Sequence, residues 1–209
     1  MHVVNITEGS LEFTSNAYLV TPEGDADADD AAPGDAADGR RVMVDAGQGD
    51  GIVDEIRDHV EGLDALVLTH THPDHVGAVS DIVEAFGVDV WGYGTDNRYA
   101  DHELGDGDVV EMAGTEFEVI FTPGHAVDHV CCYGDGVLFS GDLVFGGGSF
   151  GRTDIAGSDR DTLIESIERL LDRIGDRPVD ALYAGHQPPV QGDAKQHVEA
   201  ALRNAQQMR

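Results

Sequence analysis

The chain has 209 residues, of which 41% are hydrophobic, and this is enough for one globular domain with a sizeable core. Its 12 Lys and Arg residues against 41 Asp and Glu residues give a net charge of −29, which argues against nucleic acid and anionic membranes as partners, because their phosphates would be repelled. No apolar run is long enough to span a bilayer.

The acidic residues are spread along the whole chain, and Lys195 is its only lysine. This pattern favours adaptation to a salt-rich cytoplasm over an acidic interaction surface, because salt screens the repulsion between like charges. It is typical of a protein from a halophilic archaeon. The N-terminal residues show no basic region followed by an apolar stretch, so we expect no signal peptide and a cytoplasmic location.

The first predicted elements are short strands. Residues 11–13 and 17–20 are predicted to form paired strands, and residues 41–44 form another strand that ends at Asp45. Between them, residues 23–40 are rich in Asp, Ala, Gly and Pro, a composition that cannot build a core. We therefore predict a mobile acidic loop at 23–40 within a single domain that spans residues 1–209.

Beyond this loop, helical and strand patterns alternate. We predict helices over residues 51–60, 75–86, 161–174 and 193–208, and strands over residues 65–68, 88–93, 108–112, 115–121, 129–133, 137–140 and 179–184. Strand clusters flanked by helices predict two sheets sandwiched between helical layers. Cys131 and Cys132 are neighbours in a predicted strand and so point to opposite faces, and we expect two buried thiols rather than a disulfide.

The strongest chemical signal follows the strand at 65–68, where His70, His72, Asp74 and His75 lie within six residues. Imidazole and carboxylate are ligands of zinc and similar divalent metals. Histidines two apart on an extended segment share a face, and a helix beginning near Asp74 would turn the next two side chains towards the same cavity. We therefore expect His70 and His72 to hold one metal ion, and Asp74 and His75 to hold a second.

Four further metal-competent side chains follow other predicted strands. His125, Asp142 and His186 each lie just beyond a strand and directly after a glycine, and Asp45 ends an earlier strand. Each of these signals is weak alone, since Gly-His and Gly-Asp pairs occur in many loops. Together they predict that metal ligands are presented from several strand ends.

The order His-x-His-x-Asp-His, Pro-Gly-His, Ser-Gly-Asp and Gly-His resembles the metallo-β-lactamase superfamily. Residues 122–125 and 141–145 are similar to segments of the glyoxalase II-like (hydroxyacylglutathione hydrolase-like) enzymes, and residues 151–154 resemble a segment of their short single-domain members and of persulfide dioxygenases. The resemblance implies an α/β fold, a four-layer αββα sandwich with a binuclear metal site. Asp142 differs from the cysteine that the main subclass of zinc β-lactamases carries at this position.

The resemblance also implies the role of each site residue. One metal would be bound by His70, His72 and His125, the second by Asp74, His75 and His186, and both by Asp142 as a bridge. The cofactors would be two divalent ions, with zinc expected and iron or manganese as alternatives. Asp45 would brace the histidine-rich loop.

The expected chemistry is hydrolysis of a small-molecule thioester. Two metals about 3.5–4 Å apart can share a hydroxide that attacks a carbonyl, with Asp74 and Asp142 as the carboxylates of the catalytic centre. A thiolate leaving group needs little protonation. For His129 we consider a supporting role or a catalytic one, and for Arg152 either a substrate carboxylate or an ion pair with Asp154.

Several alternatives stay open. Gln187 and Pro188 follow His186 where larger glyoxalase II enzymes carry an aromatic residue, so the thiol need not be glutathione, and the acyl group is not predicted. A persulfide dioxygenase-like enzyme would use one iron on two histidines and an aspartate. Another ester or lactone hydrolase of the superfamily and a non-catalytic metal-binding relative are further alternatives. The complete ligand set favours hydrolysis, and the oligomeric state is not predicted.

Overall fold

The structure is a computed structural model that describes residues 1–8, 15–24, 39–94 and 97–208. The strand predicted over residues 11–13 lies outside the described residues. So does most of the predicted acidic loop, namely residues 25–38.

The first sheet contains six strands, which lie side by side in chain order. They are β1 (His2–Asn5), β2 (Tyr18–Thr21), β3 (Val42–Val44), β4 (Ala65–Val67), β5 (Val90–Tyr93) and β6 (His102–Leu104). Strands β1 to β3 pair antiparallel, and β3 to β6 pair parallel. Because β3 and β4 are parallel, the segments that follow them leave the sheet at the same edge.

The second sheet also has six strands, in the order β12-β11-β10-β9-β8-β7. They are β7 (Val109–Met112), β8 (Thr115–Phe121), β9 (Val130–Gly134), β10 (Val137–Gly141), β11 (Ala181–Ala184) and β12 (Val190–Gln191). Strands β8 and β10 are each antiparallel to β9, and β11 is parallel to β10. The carboxyl ends of β8, β10 and β11 therefore share one edge.

Five α-helices lie in the described residues: α1 (Ile52–Arg57), α2 (Pro73–Val76), α3 (Val79–Phe86), α4 (Arg160–Ile174) and α5 (Lys195–Gln207). The single helix predicted over residues 75–86 is wrong, since the chain forms α2 and α3 with a break at Gly77 and Ala78. Gly77 lies against the loop after β3, where a Cβ atom would come within 2.8 Å of Gln48 Cβ. No α-helix of the described residues is long and apolar enough to cross a membrane.

Strand side chains alternate between two faces and so build separate cores. In the first sheet, one face packs against α1 and α3 through Leu19, Met43, Leu66, Ile56 and Ile82. In the second sheet, the outer face packs against α4 and α5 through Ile120, Leu138, Leu182, Ile167 and Val198. The two inner faces meet in a third core, which contains Tyr18, Val44, Val67, Phe117 and Phe139. The predicted four-layer αββα sandwich is confirmed.

The two cysteines follow this alternation. Cys131 lies in the outer core of the second sheet, and Cys132 lies in the core between the sheets. Both thiols are free and buried, as the sequence predicted. Burial raises the pKa of the Cys131 thiol to about 12, so it stays protonated at neutral pH.

Three strands were not predicted, namely β1, β6 and β12. They have between two and four residues, and each lies at the outer edge of a sheet. Edge strands this short carry little alternation in hydrophobicity, so their sequences do not distinguish them from loops. Strand β1 pairs with β2 and so gives it a neighbour on the side opposite β3.

Candidate metal centre

The segments that follow five strands converge where the two sheets meet. Val130 N donates a hydrogen bond to Thr69 O across 2.8 Å, which joins β9 to the loop after β4. Tyr18 Oη donates to Ala184 O at 2.6 Å, and Asn16 N donates to Gly185 O at 2.7 Å. These bonds hold the sheets together beside the loops that carry the predicted ligands.

Asp45 braces the loop after β4 from behind. Its backbone is left-handed, with φ 60°, and its side chain is buried. Oδ1 accepts from Thr69 N at 2.7 Å, and Oδ2 accepts from Thr69 Oγ1 and from His75 Nδ1, each at 2.8 Å. Asp45 therefore lies where the sequence predicted a brace, outside the ligand cluster itself.

His70, His72 and His125 form a first cluster. His72 Nδ1 lies 3.1 Å from His70 Nε2 and 2.9 Å from His125 Nε2. His125 Nδ1 donates to Arg152 O at 2.9 Å, and His70 Nδ1 lies 3.1 Å from Thr69 Oγ1, whose own proton goes to Asp45. The Nε2 atoms of both histidines therefore face His72 as acceptors.

This arrangement fits a metal ion. One proton on His72 Nδ1 can satisfy only one of the two facing Nε2 atoms, whereas a cation between the three rings would satisfy all of them. Three imidazoles with lone pairs that meet at one point are a common ligand set for zinc.

A second cluster lies beside the first and contains Asp74, His75 and His186. His186 Nε2 lies 3.3 Å from Asp74 Oδ2, and His75 Nε2 lies 3.9 Å from the same oxygen. The backbone of α2 places Asp74 and His75 together, since Pro73 starts the helix directly after His72.

Asp142 lies between the two clusters. Its Oδ2 is 3.3 Å from His125 Nε2 and also 3.3 Å from His186 Nε2, and its Oδ1 is 3.4 Å from His75 Nε2. Asp142 Oδ1 and His75 Nε2 are buried and have no hydrogen-bond partner in the described part of the chain. Buried polar atoms without partners are rare, so these two fit a ligand that the chain itself does not supply.

The charges of the site also fit a cation. Burial by itself would raise the pKa of Asp142, but the His186 and His75 imidazoles outweigh it and hold that pKa well below its ordinary value. The hydrogen bond from His186 likewise lowers the pKa of Asp74. Both carboxylates are therefore ionised at neutral pH.

The histidines respond to the same two forces. Burial and the neighbouring His75 lower the pKa of His70 well below its ordinary value, so it stays neutral, as a metal ligand must be. For His75, burial opposes protonation, but the Asp45 and Asp142 carboxylates prevail and raise its pKa to about 10. A proton on His75 thus offsets part of the negative charge of these two carboxylates.

His129 supports the site without facing it. Its Nε2 accepts from Asp142 N at 3.0 Å, so its Nδ1 carries the proton and donates to Thr122 Oγ1 at 2.9 Å. Burial, followed by the neighbouring His125, lowers its pKa to about 3. Both ring nitrogens are used, and His129 therefore positions the Asp142 backbone.

Arg152 is exposed and pairs with Asp154, which was one of its two predicted roles. Its Nε and Nη2 donate to the two carboxylate oxygens at 2.9 and 3.0 Å. Its backbone carbonyl is the part that touches the site, since it accepts from His125. Sequence reasoning missed this carbonyl and the two threonines, Thr69 and Thr122, because common residue types in these positions carry no chemical signal.

Comparison with known proteins agrees with the fold. A family model described as the metallo-beta-lactamase superfamily matches residues 35–186. A hydroxyacylglutathione hydrolase of Salmonella paratyphi B is 39% identical over 113 residues, which are 53% of this chain and 45% of that protein. The match therefore spans about half the length of this curated relative.

Two solved structures are similar over almost their whole length. The BLEG-1 B3 metallo-beta-lactamase is 26% identical, with a TM-score of 0.73 over 96% of this chain and 99% of that one. TTHA1623, solved in a di-iron-bound form, is 28% identical, with a TM-score of 0.66 over 91% of this chain and 94% of that one.

Proposed function

Because the chain belongs to the metallo-β-lactamase superfamily, we propose that it is a metal-dependent hydrolase that cleaves the thioester of a small thiol, as glyoxalase II-like enzymes do. The observation that carries this proposal is the meeting of two ligand clusters at Asp142, with buried Asp142 Oδ1 and His75 Nε2 left without partners. The partial similarity to a hydroxyacylglutathione hydrolase supports the thioester.

The proposed ligands are the seven residues that the sequence predicted. One ion would be held by His70, His72 and His125, the other by Asp74, His75 and His186, with Asp142 shared between them. Zinc fits the nitrogen-rich set, and iron or manganese are the alternatives. TTHA1623, a relative crystallised with two irons, supports a pair of metals.

When bound, two divalent ions would polarise the substrate carbonyl and activate a water molecule. The chain provides the enclosure and the charge. His70 and His75 are buried and form the floor of the site, whereas the His186 side chain is 36% exposed and lies at its opening. Asp74 and Asp142 are ionised and would balance the charge of the ions. The substrate is therefore expected to reach the site from the side on which His72, Asp74 and His186 are only partly buried.

No protein nucleophile competes with this route among the described residues near the site. Ser140 is buried, and its Oγ donates to Val144 O at 2.7 Å. The Cys131 thiol is buried with a raised pKa. A thiolate leaving group suits such a site because it departs without a general acid.

One observation favours a second candidate function. His70, His75 and Asp142 form a set of two histidines and one carboxylate, which is the ligand pattern of mononuclear non-haem iron oxygenases. A persulfide dioxygenase-like reaction would use one such iron. We place it second because it would leave four of the seven clustered residues without a role, namely His72, His125, Asp74 and His186.

The test is a substrate panel with metal analysis of the same preparation. Thioesters, oxygen esters and lactones would be assayed in molar KCl, and the metal content would be measured per chain. We expect two metals per chain and turnover of thioesters. One iron per chain with sulfite formed from a persulfide would overturn the proposal. Cleavage of esters or lactones alone would assign another hydrolase activity.

The bridge is tested by Asp142→Asn, which removes the charge shared by both clusters. We expect metal content to fall below two per chain and thioester turnover to fall about 100-fold or more, since even the partners of metal ligands are worth about 10- to 100-fold. Asp172→Asn changes an exposed carboxylate of α4 and serves as the control. Full activity in Asp142→Asn would contradict the bridging assignment.

A further inference from the structure

A cavity of about 500 Å³ opens beside the first histidine cluster. It lies between residues 93–94 and 97–99 on one side and the loop between β8 and β9 on the other. Its walls include Thr71, Tyr93, Arg98, Tyr99, Val127 and Asp128. Thr71 lies between His70 and His72 in the chain, and Val127 follows His125 by two residues, so the cavity borders the proposed metal ligands. We call it the Arg98 cavity.

The walls of the Arg98 cavity combine apolar surface with polar groups. The Tyr93 ring stacks on Phe121, with 4.1 Å between ring centroids and 6° between planes. Val127 is 70% exposed, which is unusual for a large aliphatic side chain. Thr71 Oγ1 donates to Asp128 Oδ2 at 2.7 Å and links the two ligand-bearing loops. A concave site that joins aromatic and aliphatic surface to placed polar groups can hold a small molecule with both kinds of surface.

Arg98 is the cationic group of this cavity. Its guanidinium carbon lies 4.7 Å from the centroid of the Tyr99 ring, and Nη2 donates to Tyr99 Oη at 2.5 Å. In the part of the chain that the structure describes, Arg98 forms no ion pair with a carboxylate. Arg98 thus keeps guanidinium N–H groups that no carboxylate of the described residues engages. Its stacked guanidinium is oriented in advance for a planar anion.

The other charged group, Asp128, has one oxygen engaged by Thr71. We propose that the Arg98 cavity binds a carboxylate-bearing half of the thioester, with Arg98 pairing with the carboxylate and Tyr93 and Val127 contacting the adjoining carbon chain. This inference rests on the proposed thioester hydrolysis and adds the substrate class. Because the rest of the surface repels anions, Arg98 would determine which acidic substrates bind.

The test compares matched thioesters that differ in one carboxylate. The first pair consists of the butyryl thioesters of 3-mercaptopropionate and of its methyl ester, and only the former carries a carboxylate, in its thiol half. The second pair consists of the succinyl and butyryl thioesters of N-acetylcysteamine, and only the succinyl compound carries a carboxylate, in its acyl half. We expect Arg98→Gln to raise KM about tenfold for the acidic member of one pair, with kcat and the neutral member within twofold. The affected pair identifies the half that occupies the cavity. Arg98→Lys should restore only part of the loss.

Two further variants separate local from general effects. Arg57→Gln removes another arginine that lies over an aromatic ring, 5.7 Å from the centroid of Phe86 on the outer helical layer, and should change no KM. Asp128→Asn should leave KM for acidic substrates unchanged or lower it. A rise in KM for a cationic thiocholine thioester in Asp128→Asn, with no effect of Arg98→Gln on acidic substrates, would overturn the proposal in favour of a cationic ligand.

Binding measurements keep this inference distinct from the proposed function. Thioether analogues of the acidic substrates cannot be hydrolysed, and calorimetry can measure their binding to the wild type and to Arg98→Gln. Wild-type binding that is about tenfold tighter supports the cavity even if no thioester is cleaved. Equal binding to the two proteins, or equal losses for acidic and neutral analogues, would overturn it.

Discussion

The site depends on which ring nitrogen each histidine turns towards it. His70, His75 and His125 use Nδ1 for Thr69, Asp45 and the Arg152 carbonyl, so Nε2 is the atom that faces the site. His72 is different, because its Nδ1 faces the cluster. These outer partners fix the orientation of each ring, and they are expected to set metal affinity almost as strongly as the ligands do.

Asp45→Asn tests this residue-scale argument. The amide keeps an acceptor for one partner but cannot accept from both Thr69 Oγ1 and His75 Nδ1 at the former Oδ2 position. We expect metal affinity to fall about 10- to 100-fold, measured by competition with a chelator. Asp89→Asn, which changes an exposed partner of His102, is the control. Unchanged affinity in Asp45→Asn would show that the brace is dispensable.

At the scale of elements, the loop that carries His125 is fixed by α4. Ser166 Oγ donates to Pro123 O at 2.6 Å, and Asp159 N donates to Gly124 O at 2.7 Å. Gly124 has φ 131°, and a Cβ there would lie 2.4 Å from Leu163 N. The close approach of this loop to the first turn of α4 therefore requires glycine at position 124.

Gly124→Ala tests this contact between loop and helix. We expect the free energy of unfolding to fall by about 3 kcal/mol or more, from backbone strain together with the clash. Gly87→Ala is the matched control, because Gly87 also has positive φ, at 67°, but no atom lies within 4 Å of its added Cβ. Denaturant unfolding should show a loss of only about 1 kcal/mol for Gly87→Ala. Equal losses would refute the role of close packing.

For the whole molecule, charge is the dominant feature. With a net charge of −29, the folded chain repels itself in dilute buffer, and salt shortens the range of that repulsion. We expect the melting temperature to rise by about 10 °C or more between 0.1 and 3 M KCl. Sucrose at matched osmolality stabilises by exclusion alone and serves as the control. A melting temperature that is independent of KCl would remove the argument for salt adaptation.

Most of the layers and the residue types of the site could be predicted because they depend on local patterns. Alternating apolar residues predicted β8 at its observed bounds, and apolar periodicity predicted α4 to within one residue. Metal-competent side chains after glycine turns predicted where His125, Asp142 and His186 leave their strands. Local periodicity does not predict edge strands such as β1, whose existence depends on pairing with β2.

The sequence by itself determined the layered architecture, the acidic surface and the inventory of candidate ligands, because each follows from composition or from residues near one another in the chain. Only the tertiary structure decided that Asp142 lies between both clusters, that His129 faces the Asp142 backbone, and that Arg152 pairs with Asp154. It also brought Arg98 to a cavity beside Thr71. The direction of a side chain depends on partners supplied by distant segments, and those partners meet only when the two sheets pack.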